Sequence, residues 1–216
     1  MILANLVLTC VSAAAVALAQ PATTPERPRI VAFGDSLTSG RGLNPGESYP
    51  AILQDRIDRA GLSYAVVNAG VSGDTSRRAL RRFDDALEGG VRILILALGA
   101  NDGLRGVPVA QLRSNLSQMI EKAERRHIAV LLCGMEALPI YGWDYSVAFH
   151  TMYDSLATEY RVTLVPFILL KIIGDPSLMQ PDRAHPNAAG ARAIADQVWP
   201  YLEPMLQART GAPAAR

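Results

Sequence analysis

The sequence contains little of what several common classes of protein require. Its two cysteines are too few for a disulfide framework, and no C-x-x-C or H-E-x-x-H motif offers metal-ligand spacing. It has no G-x-G-x-x-G and no Walker loop, so neither a metal nor a nucleotide cofactor is expected. The formal net charge is only +1, which removes the main electrostatic reason to expect nucleic acid or an anionic membrane as a partner.

What the sequence does contain is typical of one globular domain. It has 216 residues, of which 50% are hydrophobic, and this length and composition suffice to bury a sizeable core and exclude a disordered chain. The aromatic residues are unevenly placed, because five of them fall within residues 141–153. The function of this aromatic cluster depends on where it lies relative to the functional site.

The two ends of the chain differ from its middle. Residues 1–19 carry no charged side chain and end in Ala17-Leu18-Ala19, which predicts a secretory signal peptide cut before Gln20. A retained membrane anchor is the alternative. After cleavage we expect a monomeric periplasmic or secreted protein with no stable membrane partner, in which Cys133 is a buried hydrophobe. Residues 20–28 are predicted as a linker, 29–207 as the domain and 208–216 as a flexible tail.

The middle of the chain alternates between two hydrophobic periods. Short β-like runs are predicted at residues 29–33, 64–68, 92–98, 128–133 and 162–165. Helical periods are predicted at residues 50–60, 75–87, 109–126, 144–160 and 187–206. The third and fourth runs are almost continuously apolar, as strands buried on both faces are. The pattern therefore predicts an α/β domain with a five-stranded parallel sheet covered by helices on both sides.

Glycine-rich polar loops follow the first three predicted strands. They are Gly34-Asp35-Ser36-Leu37, Asn68-Ala69-Gly70-Val71-Ser72-Gly73-Asp74 and Gly99-Ala100-Asn101-Asp102-Gly103. Ligand sites of parallel sheets lie at the carboxyl ends of the strands, where strand order reverses. We therefore expect these three loops to meet and form the functional site.

The residues needed for nucleophilic acyl transfer are all present. The mechanism requires a hydroxyl, a base that accepts its proton and a carboxylate that orients the base. Of the three histidines, His127 is expected in a solvated turn and His150 partly buried in a helix. His185 lies in a proline-flanked loop three residues after Asp182. That spacing favours His185 as the base, Asp182 as its orienting carboxylate and Ser36 as the nucleophile.

Four sequence blocks, in order, resemble those of the GDSL or SGNH hydrolase family. The blocks are Gly34-Asp35-Ser36-Leu37, Ser72-Gly73-Asp74-Thr75, Gly99-x-Asn101-Asp102 and Asp182-x-x-His185-Pro186. The resemblance implies a three-layer α/β/α sandwich of flavodoxin-like topology, and it is nearest to bacterial periplasmic thioesterases, arylesterases and lysophospholipases. It implies that Ser36 is the nucleophile, and that Ser36, Gly73 and Asn101 supply the oxyanion hole. His185 would be the general base and then the acid, oriented by Asp182.

The chain departs from the family pattern at two places. Ala100 stands where a glycine is common, and Arg183-Ala184 replaces the usual glycine and aliphatic residue between the aspartate and the histidine. The second departure puts the conformation of the catalytic loop in question and places a positive charge near the rim of the site.

The loop after the fourth strand is predicted to select the substrate. Leu138, Ile140, Tyr141 and Trp143 lie in it, and we expect them to line an acyl or aryl groove leading to Ser36. The favoured function is hydrolysis of small carboxylic esters and thioesters, including aryl esters, acyl-CoA and lysophospholipid, through an acyl-enzyme on Ser36. Two alternatives stay open: a carbohydrate O-deacetylase, and a non-catalytic module that binds lipid or glycan.

Overall fold

The computed structural model describes residues 26–210, and the predicted signal peptide lies outside them. Five parallel strands form one sheet in the order β2-β1-β3-β4-β5. They are β1 (Arg29–Gly34), β2 (Ala65–Gly70), β3 (Val91–Ala97), β4 (Ala129–Cys133) and β5 (Thr163–Val165). The predicted α/β class and five-stranded parallel sheet are confirmed. The chain reverses its direction across the sheet between β1 and β3, and a site is expected there.

Eight helices connect or follow the strands within the described residues. They are α1 (Ser36–Ser39), α2 (Tyr49–Arg59), α3 (Ser76–Leu80), α4 (Phe83–Ala86), α5 (Ala100–Leu104), α6 (Val109–Arg125), α7 (Trp143–Tyr160) and α8 (Ala188–Thr210). Helices α2 and α8 pack against each other, and α6 packs against α3 and α7. Among these helices none is long and apolar enough to cross a membrane.

The central strands are buried because their side chains are apolar on both faces. Strand β1 is buried from Ile30 to Gly34, and β3 is buried from Ile93 to Ala97. Cys133, at the end of β4, is fully buried as predicted, and burial raises the pKa of its thiol to about 12. Such a thiol stays protonated and inert at neutral pH.

The largest differences between the predicted and observed helices concern α3, α4 and α8. The helix predicted at residues 75–87 is two short helices, α3 and α4, interrupted at Arg81 and Arg82. At the interruption Arg82 turns inward, and its guanidinium donates to the Asp74 carboxylate and to two backbone carbonyls. Helix α8 continues to Thr210, three residues into the predicted tail, while residues 211–216 lie outside the described part.

Candidate active site

Ser36 lies directly after β1, at the start of the short helix α1. Asp35 caps this helix, because its carboxylate accepts a hydrogen bond of 3.0 Å from the Leu37 N–H. Gly34 makes the tight turn possible, since a Cβ on it would lie 2.0 Å from Thr38 Oγ1 and 2.6 Å from the Ala97 carbonyl oxygen. The strand-to-helix turn therefore fixes the position of the Ser36 hydroxyl at the edge of the sheet.

The predicted serine, histidine and aspartate form one hydrogen-bonded chain. His185 Nε2 lies 3.0 Å from Ser36 Oγ, and His185 Nδ1 lies 2.6 Å from Asp182 Oδ2. Both distances are within hydrogen-bonding reach, which is the geometry a general base and its orienting carboxylate require. Ser36 and His185 are separated by 149 positions in sequence and are brought together by the fold, so this contact depends on the whole sheet.

Backbone groups of its own loop hold the Asp182 carboxylate. Its Oδ1 accepts from the N–H groups of Ala184 and His185, both at 3.0 Å, while Oδ2 faces the imidazole. These bonds, that to His185 above all, lower the pKa of Asp182 to about 2. The carboxylate is therefore ionised at neutral pH although its side chain is 47% exposed. An ionised acceptor favours the His185 tautomer that carries its proton on Nδ1.

The loop that carries His185 is closed by Gln180. The Gln180 side chain donates to the carbonyls of Arg41, at 2.7 Å, and Pro186, at 2.8 Å, and its backbone N–H donates to His185 O. These bonds tie the histidine loop to the segment that follows Ser36. Arg183, which stands where the family usually has glycine, has a φ of 54°. The arginine therefore adopts the left-handed backbone conformation that favours glycine.

The three predicted oxyanion donors come from three different loops. Ser36, Gly73 and Asn101 all line the cavity that contains His185. Gly73 has a φ of +82°, a left-handed conformation that glycine adopts readily. The Asn101 amide donates one hydrogen bond of 3.1 Å to Asp35 Oδ2. Because an amide nitrogen carries two protons, this bond orients the group and leaves a second donor for a ligand.

Buried carboxylates hold these loops together. Asp35 is fully buried, and burial raises its pKa to about 6. Asp102 accepts from the backbone N–H of Ser76 at 2.8 Å and from its hydroxyl at 2.7 Å. Burial also raises the pKa of Asp102. Both carboxylates contact backbone groups and neighbouring polar side chains, so their contacts are those of structural supports.

A cavity of about 370 Å³ opens beside Ser36 and is lined mainly by apolar side chains. Leu138 lines it, as predicted, but Ile140, Tyr141 and Trp143 do not. The prediction for those three is corrected: they are exposed, and the Tyr141 hydroxyl donates instead to Leu104 O at 3.1 Å. Ile140 and Tyr141 lie in the short 3-10 turn Pro139–Tyr141, and Trp143 is the first residue of α7.

The sequence did not predict that the connection between β5 and α8 contributes to the cavity. Phe167, Leu169, Ile173 and Met179 all line the cavity. Residues 165–173 have the sequence VPFILLKII. An apolar run that follows a strand is hard to distinguish by sequence from a segment of the hydrophobic core. The available indication was its length, since the run extends eight residues beyond the end of β5 and includes Lys171.

The remaining histidines have surroundings unlike that of His185. His127 is an exposed turn residue, as predicted. His150 was expected to be partly buried, but its side chain is 54% exposed and pairs with Glu136 at 2.5 Å. This pairing raises the pKa of His150. Residues 26–210 contain no group of three or more histidine, cysteine or acidic side chains able to hold a metal ion, and the expectation of no metal or cofactor stays a prediction.

A parallel α/β sheet with a Ser–His–Asp chain at its carboxyl edge defines a class of protein, the serine hydrolases built on an open sheet. Comparison with known proteins narrows the class, and the chain belongs to the GDSL-like Lipase/Acylhydrolase family, which matches residues 32–193. The resemblance carried by the four sequence blocks is thereby confirmed.

Several relatives are similar over most of their length. The chain is 39% identical to "Esterase TesA" of Pseudomonas aeruginosa over 82% of this chain and 89% of the relative. It is 34% identical to "Thioesterase 1/protease 1/lysophospholipase L1" of Escherichia coli K12 over 82% and 84%. Among solved structures, the esterase EstA of Pseudoalteromonas, inhibited by monoethylphosphonate, superposes with a TM-score of 0.79 at 33% identity, over 83% and 98% of the two chains. The chain is a GDSL-type esterase or thioesterase by this relationship.

Proposed function

We propose that the protein hydrolyses carboxylic esters and thioesters through an acyl-enzyme on Ser36. The observation that carries this proposal is the chain of hydrogen bonds from Ser36 Oγ through the His185 imidazole to the Asp182 carboxylate. A serine hydroxyl is a weak nucleophile until a base accepts its proton, and His185 Nε2 is placed to accept it. The ionised Asp182 stabilises the imidazolium that results.

The reaction proceeds in two halves. Ser36 Oγ attacks the acyl carbonyl as its proton passes to His185, and the collapse of the tetrahedral intermediate releases an alcohol or thiol that takes the proton back. Water then attacks the acyl-serine by the same route and releases the acid. In both halves the negative charge on the carbonyl oxygen is stabilised by the backbone N–H groups of Ser36 and Gly73 and by the Asn101 amide.

The cavity indicates which acyl groups fit. Leu138, Phe167, Leu169 and Ile173 line it, so we propose an apolar acyl or aryl group as the preferred substrate portion. The names of the relatives, esterase, arylesterase and thioesterase 1/lysophospholipase L1, fit substrates of this kind. The mainly apolar lining fits such a group better than it fits the sugar substrate of an O-deacetylase.

Covalent labelling tests the mechanism. An alkyl fluorophosphonate is expected to add its phosphonyl mass to the peptide that contains Ser36 and to abolish ester hydrolysis. Ser36→Ala removes both the label and the activity. Ser39→Ala is the matched control, because Ser39 lies three residues away on the same helix and its hydroxyl contacts Ser72 Oγ at 3.0 Å. Labelling that persists in Ser36→Ala contradicts the assignment of the nucleophile.

A substrate panel tests the specificity. We expect turnover of p-nitrophenyl esters and acyl-CoA, and little release of acetate from acetylated xylan.

Export is proposed from residues 1–19, so the protein recovered from the periplasm or medium is expected to begin at Gln20 by mass spectrometry. An intact Met1 in that fraction contradicts cleavage.

A further inference from the structure

Large apolar side chains that remain exposed are confined to one edge of the described domain. There are nine of them within residues 26–210, and each follows the carboxyl end of a strand, in a connection after β2, β3, β4 or β5 or in the first turns of α7. They are Val71, Leu104, Leu138, Ile140, Tyr141, Trp143, Val147, Leu170 and Ile173. This is the edge at which Ser36 lies. A concentration of exposed apolar side chains marks an interaction surface.

This surface is continuous with the catalytic cavity. Leu104, Leu138 and Ile173 are more than half exposed, and all three also line the cavity. Apolar contact therefore extends without a break from solvent to the neighbourhood of Ser36. We use the name apolar rim for Leu104, Leu138, Ile140, Trp143, Leu170 and Ile173.

The most exposed part of the rim is held in place from behind. Tyr141 donates to Leu104 O at 3.1 Å, its ring packs beside Gly106, and the rings of Tyr141 and Tyr145 are 5.6 Å apart. Anchored in this way, the turn leaves Ile140 64% exposed and Trp143 73% exposed. A segment held in this way loses little backbone entropy when its exposed side chains bind to an apolar layer.

Cations lie among these apolar side chains. Arg41 and Arg183 line the cavity, and Lys171 lies between Leu170 and Ile173 in sequence. None of these three side chains has a carboxylate within ion-pairing distance in the described part of the chain. Glu136 also lines the cavity, but its carboxylate pairs with His150. The overall net charge of +1 does not reveal this local distribution of charge.

Protein segments that lie at the surface of a membrane typically combine tryptophan, aliphatic side chains and cations without an acidic partner. The apolar rim and its neighbouring cations show the same combination. A protein partner or a second copy seated on this surface would close the mouth of the cavity. A lipid layer seated there would instead supply acyl chains to it. The geometry therefore favours a lipid occupant.

We propose that the apolar rim docks on a lipid surface that carries anionic headgroups, with Trp143 and Ile140 inserted at the level of the headgroups. Docking itself does not involve the Ser36 hydroxyl. Only the further step, entry of an acyl chain from the layer into the cavity, rests on the proposed function.

The direct test uses Ser36→Ala combined with Trp199→Phe, in which Trp143 is the only tryptophan. With phosphatidylcholine–phosphatidylglycerol vesicles we expect a blue shift of Trp143 fluorescence and sedimentation of the protein with the vesicles. The double variant Ile140→Ser with Trp143→Ser is expected to bind at least about tenfold more weakly, because two apolar side chains lose their burial. Parent and variant are compared in the same form of the chain, so any contribution of the N-terminal residues cancels.

Charge is tested by Arg41→Gln with Arg183→Gln in the Ser36→Ala background. Each cation is expected to contribute about fivefold to binding of anionic vesicles. Arg92→Gln is the matched control, since Arg92 is an exposed cation at the start of β3, the other end of the sheet. It is expected to leave vesicle binding unchanged.

A soluble substrate separates docking from catalysis. With Ser36 intact, the Ile140→Ser/Trp143→Ser variant is expected to retain turnover of p-nitrophenyl acetate while it loses vesicle binding. Absence of sedimentation and of a blue shift in the parent overturns the proposal, as does equal binding by this variant. A blue shift that depends on protein concentration without vesicles, together with a dimer in analytical ultracentrifugation, also overturns it and assigns the rim to contact between copies.

Discussion

Replacing Asn101 by alanine tests the oxyanion role proposed for its side chain beside the observed contact with Asp35. One amide proton bonds to Asp35 Oδ2 at 3.1 Å, and the other is available to the oxyanion. Two backbone N–H groups, of Ser36 and Gly73, remain in the variant. Loss of one oxyanion donor of several lowers turnover by about 10²–10³, equivalent to about 2.7–4 kcal/mol of transition-state stabilisation. We expect Asn101→Ala to reduce kcat by this factor while KM for a p-nitrophenyl ester changes little.

The same substitution has a second effect, on stability, which depends on pH. The pKa of Asp35 is about 6 in the folded protein, against an ordinary value of 3.8. At a pH between these two values the folded state therefore holds a proton that the unfolded state has released. Its contribution to stability therefore decreases as pH rises through this window. Without Asn101, the buried carboxylate loses a partner of its charged form, which is worth about 1.5–3 kcal/mol.

The assay is steady-state kinetics with urea unfolding at two pH values. Above the pKa of Asp35, Asn101→Ala is expected to unfold more easily than the parent, and the difference is expected to shrink below it, where the carboxyl is neutral. The loss of kcat is expected at both. A variant with near-native kcat refutes the oxyanion role, and a stability difference that grows toward acid refutes the assignment of the pH effect to Asp35.

Three further predictions concern the catalytic loop and the cavity. Asp182→Asn is expected to lower kcat by about 10²–10³. This is less than the ~10⁴ seen where such a carboxylate is buried, because water can replace part of the contact between the carboxylate and His185. Unchanged kcat for an aryl ester contradicts the role of Asp182. Arg183→Gly is expected to raise the free energy of unfolding by about 1 kcal/mol in urea, as is Arg161→Gly at the other arginine with positive φ; destabilisation by both contradicts backbone strain. Leu138→Ala is expected to shift the chain-length profile of p-nitrophenyl esters several-fold toward longer acyl groups, whereas Ile140→Ala does not, and equal shifts contradict the corrected groove.

Fold and strand positions could be predicted because hydrophobic period depends on local sequence. The predicted runs 29–33 and 128–133 differ from β1 and β4 by a single residue at one end. The helix predicted at residues 75–87 failed for a tertiary reason. Arg82 leaves the helical path to bind the Asp74 carboxylate, in the loop after β2, and the carbonyls of Ala69 in β2 and Gly34 in β1. No periodicity within the helix itself encodes those contacts.

The candidate site divides in the same way. Ser36, Asp182 and His185 could be found because each stands beside residues with strong local conformational preferences, and a strand-end rule brings the loops together. Of the predicted cavity walls, only Leu138 is among the residues that line the cavity. Ile140 and Ile173 are both apolar residues in loops, and only the tertiary structure places the second in the cavity lining and leaves the first outside it.

Carboxylates around Ser36 show why pKa alone does not assign a catalytic role. Asp35 has the pKa displaced toward neutrality, to about 6, which is the usual mark of a functional acid. It is nevertheless bonded to the Leu37 N–H and the Asn101 amide. Asp182, with a pKa lowered to about 2 and a half-exposed side chain, is the carboxylate that contacts the imidazole. An ionised carboxylate both orients a histidine and stabilises its imidazolium, so a low pKa suits this task, and a raised pKa here marks the buried support beside the site.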